Sequence, residues 1–242
     1  MTIGIDMVGT NLSSGTKTYN MNFCVNLNKI DLDETIYIFL SQNYYKNLKL
    51  INNPKIKYII KPNFYSNIFL RFIWMQLFLP FEIKKLGIQK FYSPMNLSPI
   101  LLKFLKIKSI LALHTNLPWV FFSKMPGNFL RNFLTKFFME LSINTCDRLI
   151  VNSNYAKKEI IEKLNLDETK VKSIYLGVDK ENFPKKKNDL YLKNFDYSDY
   201  ILSVLSCTKY HNIINLLKAF KILKKNYTKK LKYVFILQIL DK

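Results

Sequence analysis

Cysteine is scarce in this 242-residue chain: Cys24, Cys146 and Cys207 stand far apart, odd in number and without a Cys-x-x-Cys spacing. A disulfide framework and a cysteine-based zinc site are thereby excluded, and a reducing compartment fits best. A secretory signal is missing too, because Met1-Thr2-Ile3-Gly4-Ile5-Asp6-Met7-Val8 has neither a basic start nor an extended apolar core. The most apolar stretch, Ile68 to Phe81, includes Arg71, Gln76 and Pro80 and falls short of the ~20 residues of a spanning helix. No transmembrane segment is expected, and the expected location is the cytoplasm, with the inner face of the cell membrane as the one surface in reach. Acids are few as well, 17 against 37 lysines and arginines, which gives a formal charge of +20. That excess would attract nucleic acid, anionic lipid headgroups or nucleotide diphosphates. It is spread along the chain, however, and accompanies heavy use of Lys, Asn, Ile, Phe and Tyr, the bias of AT-rich coding sequence. No helix-turn-helix, zinc finger or RNA-binding aromatic signature accompanies it, so no specific nucleic-acid partner is predicted. Metal-ligand spacings, internal repeats and low-complexity tracts are also absent, and no cofactor or metal is predicted.

Apolar content is ample at 49%, enough to bury a core in one or two domains. Short β-branched and aromatic runs alternate with helical patterns. Ile3 to Val8, Thr35 to Leu40, Ile56 to Lys61, Lys90 to Ser93, Ser109 to His114, Arg148 to Ser153 and Val171 to Gly177 read as strands. Such alternation predicts an α/β fold of βαβ units around a parallel sheet. Between them, Asn128 to Ile143 sets Phe129, Leu130, Phe133, Leu134, Phe137, Phe138 and Leu141 on one helical stripe, a pattern normally buried as core or cleft lining. After Ser153, an N-cap candidate, Ala156, Ile160, Ile161 and Leu164 mark a second helix. The expected organisation is a complete Rossmann-like domain over 1–179, a polar linker over 180–198 holding Lys185, Lys186 and Lys187, and a partial second domain over 199–242. This last part holds a strand at Tyr200 to Leu205, a helix through Ile213 to Leu223 and a strand at Tyr233 to Leu240. A single βαβ cannot cover both faces of its strands, so the sequence is expected to be truncated there or to dock on something.

Two places offer chemistry. The first strand runs into Gly9-Thr10-Asn11-Leu12-Ser13-Ser14-Gly15-Thr16-Lys17-Thr18-Tyr19, a turn whose backbone amides could bind an oxyanion or sugar hydroxyls. It contains no Gly-x-Gly-x-x-Gly and no P-loop lysine, so an ordinary strand-to-helix connection explains it equally well. His114 closes the strand Ile110-Leu111-Ala112-Leu113-His114, at the carboxyl end where open α/β sheets place ligands. A structural histidine is the alternative.

In order along the chain, Ser13 to Tyr19, Phe91-Tyr92-Ser93-Pro94-Met95-Asn96, His114, Cys146 to Ile160, Lys172 to Asp179, Tyr200 to Val204, His211-Asn212 and Ala219-Phe220 resemble the retaining glycosyltransferases of family 4, with the GT-B fold. The resemblance spans nearly the whole chain. It implies an acceptor-side first domain and a donor-side second domain that takes a nucleotide-diphosphate sugar. Gly15, Thr16, Lys17 and Asn96 would then lie near donor phosphates or acceptor, with His114 touching the transferred sugar, although the usual His-Asp pair is His114-Thr115 here. Family members commonly carry an Arg and a Lys after the second domain's first strand, where fixed cations offset charge on the departing diphosphate. This sequence has Ser206 and His211 there, with Lys209 between them and Asn212 following. The family's Glu-x7-Glu element lies beyond Lys242, so catalysis by this chain is expected to be impaired. The partners implied are a nucleotide sugar and a glycan or lipid-linked acceptor. The alternative is a non-catalytic subunit that associates with a complementing donor domain or with an anionic membrane surface, motivated by the uncovered βαβ and by Trp119, Phe121, Phe122 and Phe129.

Overall fold

The computed structural model describes residues 1–10, 15–27, 29–48, 53–177, 200–206, 208–226 and 232–238. The expected linker at 180–198, with its lysine run, and residues 11–14 of the glycine loop lie outside the described residues. The chain divides into two compact units: Met1–Trp119 with Phe133–Leu176, and Val120–Asn132 with Gly177–Lys242.

The first unit holds seven strands: β1 (Thr2–Asp6), β2 (Thr35–Ser41), β3 (Ile56–Lys61), β4 (Lys90–Ser93), β5 (Lys108–Leu113), β6 (Arg148–Val151) and β7 (Val171–Ser173). All pair in parallel, in the order β3-β2-β1-β4-β5-β6-β7. The helices are α1 (Gly15–Leu27), α2 (Gln42–Asn47), α3 (Ile68–Ile73), α4 (Leu79–Lys85), α5 (Leu117–Val120), α6 (Phe129–Thr145) and α7 (Asn154–Leu164). A parallel sheet needs both faces covered. One cluster packs Cys24 and Leu27 of α1 and Tyr44 of α2 on Ile5, Ile36 and Ile38. Another sets Trp74, Met75, Leu79 and Ile83 on Phe39 and Phe91, and a third seats Met139, Ile143 and Ile160 on Leu111, Leu149 and Val171. Burial on both faces explains why inner strands such as β2 and β5 read as continuous apolar runs and not as alternating ones. Gly4 is required where β1 meets the second cluster, since a Cβ there would fall 2.8 Å from the Phe91 ring.

Several ends differ from the sequence reading. Strand β1 stops at Asp6 because its carboxylate Oδ1 accepts the Val8 N–H at 3.0 Å and turns the chain. Strands β5, β6 and β7 end at Leu113, Val151 and Ser173, before His114, Ser153 and Gly177. Ser153 does cap α7, accepting the Ala156 N–H. Helix α3 is capped by Asn67 and continues through a π turn, Trp74–Phe78, into α4. Pro80 has no N–H to offer the preceding turn, and a widened turn there absorbs the mismatch.

The aromatic stripe of α6 contradicts its expected burial. Phe129, Leu130, Phe133, Leu134 and Phe137 are exposed, whereas Asn132, Met139, Ser142 and Ile143 are buried. The helix is turned by polar contacts: Ser142 Oγ accepts the Ser98 N–H at 3.2 Å and lies 3.1 Å from the Ser98 carbonyl. A buried peptide group left unpaired costs ~1–3 kcal/mol, so these bonds favour the observed rotation.

In the second unit β8 (Tyr200–Ser206) pairs in parallel with β9 (Lys232–Gln238), and α8 (Ile213–Asn226) connects them. This is the expected βαβ. Alternate residues Tyr200, Leu202 and Val204 are exposed.

Candidate functional site

From β1 the chain winds outward through β2 and β3, then returns to place β4 on the other side of β1. Connections leave in opposite directions at this point, opening a crevice beyond the carboxyl ends of β1 and β4. The polar groups gather there. Thr10, after β1, donates its hydroxyl to the Met7 carbonyl at 2.7 Å and accepts from Asn20 Nδ2 of α1 at 2.7 Å. Asn96, after β4, takes a left-handed conformation with φ 60°. Its N–H donates to Ala112 at 3.0 Å, and its Oδ1 accepts the His114 N–H at 2.7 Å. Asn96 thereby ties the β4 loop to the end of β5.

His114 is held on every side. Its Nε2 lies 2.7 Å from the Pro94 carbonyl, and since a carbonyl only accepts, Nε2 carries a proton. The Asn152 amide, just past β6, spans from Nδ1 at 3.3 Å to the His114 carbonyl at 3.5 Å. Tyr19 of α1 meets the imidazole edge to face at 4.6 Å between centroids. The Tyr19 hydroxyl pairs with that of Tyr92 on β4, and burial, followed by the neighbouring Tyr19, raises the Tyr92 pKa above the ordinary phenol range. His114 is thus a fixed wall, with Leu113, Thr115, Asn116, Val151, Asn152 and Ala156, of a shallow cleft open to solvent.

Gly15 opens α1 with nothing within 4 Å of a Cβ placed on it, so packing does not demand glycine there. The first turn of α1, with Thr16 and Lys17, contributes no acid to the positive end of the helix. On the other flank, the Asp6 carboxylate, 1% exposed, pairs with Arg71 of α3 at 3.3 Å. The guanidinium lies directly against Gly9.

The structure therefore brings Gly15, Thr16, Lys17, Asn96 and His114 into one unit. His211 and Asn212 belong to the other, in the turn between β8 and α8. There Thr208 Oγ1 lies 3.0 Å from His211 Nδ1, and Asn212, with φ 52°, turns its carbonyl to accept the N–H groups of Asn215 and Leu216. Lys209 occupies the same turn, but its side chain and that of Ser206 lie outside the described residues. Sequence reasoning missed Asp6, Tyr19, Arg71, Tyr92 and Asn152. Arg71 carried a signal, being the one charge within the most apolar run. Among the described residues no group of three or more His, Cys, Asp and Glu is placed to hold a metal, and no helix is long and apolar enough to cross a membrane.

A doubly wound sheet with its polar groups at the switch point defines a Rossmann-like unit of the kind that forms the N-terminal half of GT-B proteins. The model of Glycosyltransferase Family 4 matches residues 15–182, and the chain belongs to that family. No curated protein matches it in sequence. Among solved structures it is similar to a glycosyltransferase from Rickettsia africae, with 16% identity, a TM-score of 0.56, and coverage of 99% of this chain and 68% of that one. HepE from Anabaena, solved with UDP and glucose, gives 11% identity, a TM-score of 0.54 and coverage of 98% and 69%. The UDP-GlcNAc 2-epimerase of Methanocaldococcus jannaschii gives 14%, 0.50, and coverage of 96% and 65%. Identities this low speak for the fold alone. The chain spans about two thirds of the length of these proteins.

Proposed function

We propose that this chain acts in transfer of a sugar from a nucleotide-diphosphate donor to a glycan or lipid-linked acceptor, with retention at the anomeric carbon. The observation that carries the reading is the switch-point edge: an open, acid-free helix start at Gly15 beside a locked His114 and the Asn96 turn. A positive helix end with a lysine in its first turn suits phosphate or hydroxyl oxygens. His114, whose Nε2 proton is given to Pro94 and whose Nδ1 is engaged by Asn152, serves as a shaped surface against the sugar and not as a mobile base. In the second unit Lys209, His211 and Asn212 would face the leaving diphosphate. With Ser206 and His211 where the family carries Arg and Lys, slow turnover is expected.

The test is incubation of the purified chain with a panel of nucleotide sugars and acceptors, following nucleoside diphosphate release and the anomeric configuration of the product. Slow release with retention is expected, rising in S206R/H211K. Calorimetry that detects no binding of any nucleotide sugar, or an inverted product, refutes the reading. A second reading, a subunit that associates with a complementing domain, is favoured by the uncovered face of β8 at Tyr200, Leu202 and Val204. It predicts that L202S/V204S abolishes any self-association or complex formation seen by sedimentation while leaving unit 1 folded.

A further inference from the structure

Beyond the cleft, the outward side of α4 and the π turn before it carries an unusual sequence of side chains. Leu77, Phe78, Phe81, Lys84 and Lys85 follow an i, i+1, i+4, i+7, i+8 spacing, which gathers them on a single helical face. Leu77, Phe78 and Phe81 are 56%, 56% and 61% exposed, whereas Leu79 and Ile83 on the opposite side are fully buried. Packing against the sheet is thus complete without the outer three. Stability of the unit gives no reason for large apolar groups there, and clustered exposed apolar residues mark contact surfaces.

We propose that this face is a docking surface for the headgroup layer of an anionic phospholipid bilayer, with Leu77, Phe78 and Phe81 entering the acyl boundary and Lys84 and Lys85 meeting lipid phosphates. The charge around it selects that occupant. Glu82 is the only acid between Glu34 and Glu140, and it is tied to Lys61 and to the Trp74 indole N–H, so it does not neutralise the two lysines. An apolar body ending in unneutralised cations is the arrangement of helices that lie in a membrane interface. A second copy fits poorly, because it would press Lys84 and Lys85 toward their own kind on chains that each carry a formal +20. The surface stands without the sugar-transfer reading, since nothing in its chemistry or its test involves a nucleotide sugar.

The test is flotation of the full chain with vesicles of phosphatidylcholine alone or mixed with phosphatidylglycerol, at low and high salt. Any protein of this charge adsorbs to anionic vesicles, so the apolar contribution is the deciding readout. Expected are binding to the mixed vesicles that partly survives high salt, and a loss of roughly tenfold per ring in F78S/F81S, from returning a half-exposed aromatic side chain to water. K84Q/K85Q is expected to lose roughly fivefold per lysine at low salt. The control I214S removes a still more exposed apolar group on α8 and is expected to bind like the parent, with all three variants unfolding at the parent's temperature. Three results overturn the proposal: no flotation with mixed vesicles at low salt; F78S/F81S binding like the parent, which leaves bulk charge as the whole effect; or a parent dimer that F78S/F81S converts to monomer, which assigns the face to a second copy.

Discussion

Replacing Gly9 by alanine would put a methyl group where the Arg71 guanidinium lies, since an ideal Cβ on Gly9 falls 2.3 Å from Cζ, Nε and Nη1. The backbone raises no objection, because Gly9 is not among the residues with positive φ. The whole penalty therefore comes from Arg71, which cannot swing away freely. Its Nη2 holds Asp6 Oδ2 at 3.3 Å, and Asp6 is 1% exposed. Deleting one partner of a buried ion pair costs ~3–5 kcal/mol, which is the expectation for R71A. G9A displaces the guanidinium without deleting it, so ~2–3 kcal/mol is expected. In the R71A background the collision is gone, and alanine at position 9 should return ~0.4–1 kcal/mol by restricting the unfolded chain. The double variant is thus expected to be no less stable than R71A alone, a coupling of ~2–4 kcal/mol by the values just given. Equilibrium urea unfolding followed by tryptophan fluorescence measures it. Trp74 and Trp119 are the two tryptophans and both lie in the first unit, so the signal reports that unit. Costs of G9A and R71A that add to within ~0.5 kcal/mol would refute the account of how the loop after β1 is held.

Three further outcomes are expected. At Asn96, with φ 60° and its Oδ1 accepting the His114 N–H, N96G loses the acceptor but keeps the turn, while N96A loses both. Urea unfolding should place N96A ~1–2 kcal/mol below N96G, and equal stabilities would argue against the turn as the constraint. Burial pushes the Cys24 thiol to about 12 and the Cys146 thiol to about 11. Iodoacetamide at mildly alkaline pH should therefore label neither until the chain unfolds, as read by mass spectrometry. These raised values favour the fold below the ordinary thiol pKa, and that contribution is lost as pH rises toward them. Burial opposes ionisation of Asp147, but the Ser109 N–H and Lys108 outweigh it and hold the carboxyl below its usual 3.8. Its stabilisation is present above that value and lost as pH falls through the native pKa, so D147N should unfold less steeply than the parent on acid titration.

Strand positions were legible in the sequence because a parallel sheet covered on both faces favours β-branched and aromatic runs, and only their ends moved. Those ends are set by single side chains, such as Asp6 turning the backbone at Val8, which period and propensity do not register. The rotation of α6 was illegible for a different reason. Its apolar stripe is genuine, yet the inward face is chosen by Ser142 closing on Ser98, 44 residues away, and a helical period contains no partner. The outward face of α4 was hidden by the same limit, since Leu77, Phe78 and Phe81 sit in a run that is apolar on both sides. Position 114 was found from its place at a strand end, but its state depends on Pro94, Asn152 and Tyr19, which arrive from three other elements.

That state narrows what the carboxyl edge can do. Thr10, Asn96, His114 and Asn152 spend their hydrogen bonds largely on one another, on Asn20 and on the backbone, so a ligand there meets a wall whose polar groups are mostly engaged. Rigid walls orient a substrate at little entropic cost, and they neither donate nor remove protons without first breaking an internal bond. The backbone at Gly15 differs, because nothing lies within 4 Å of a Cβ placed on it and the first turn of its helix carries no acid. Under the proposed reaction, this edge holds a hydroxyl-rich molecule in place, and Lys17 is the cation of the first unit that would meet its phosphate charge. Lys17 lies in the first turn of α1. K17Q should therefore weaken nucleotide-sugar binding, measured by calorimetry, more than H114Q does; the reverse order would mean that the imidazole and not the helix end makes the main contact.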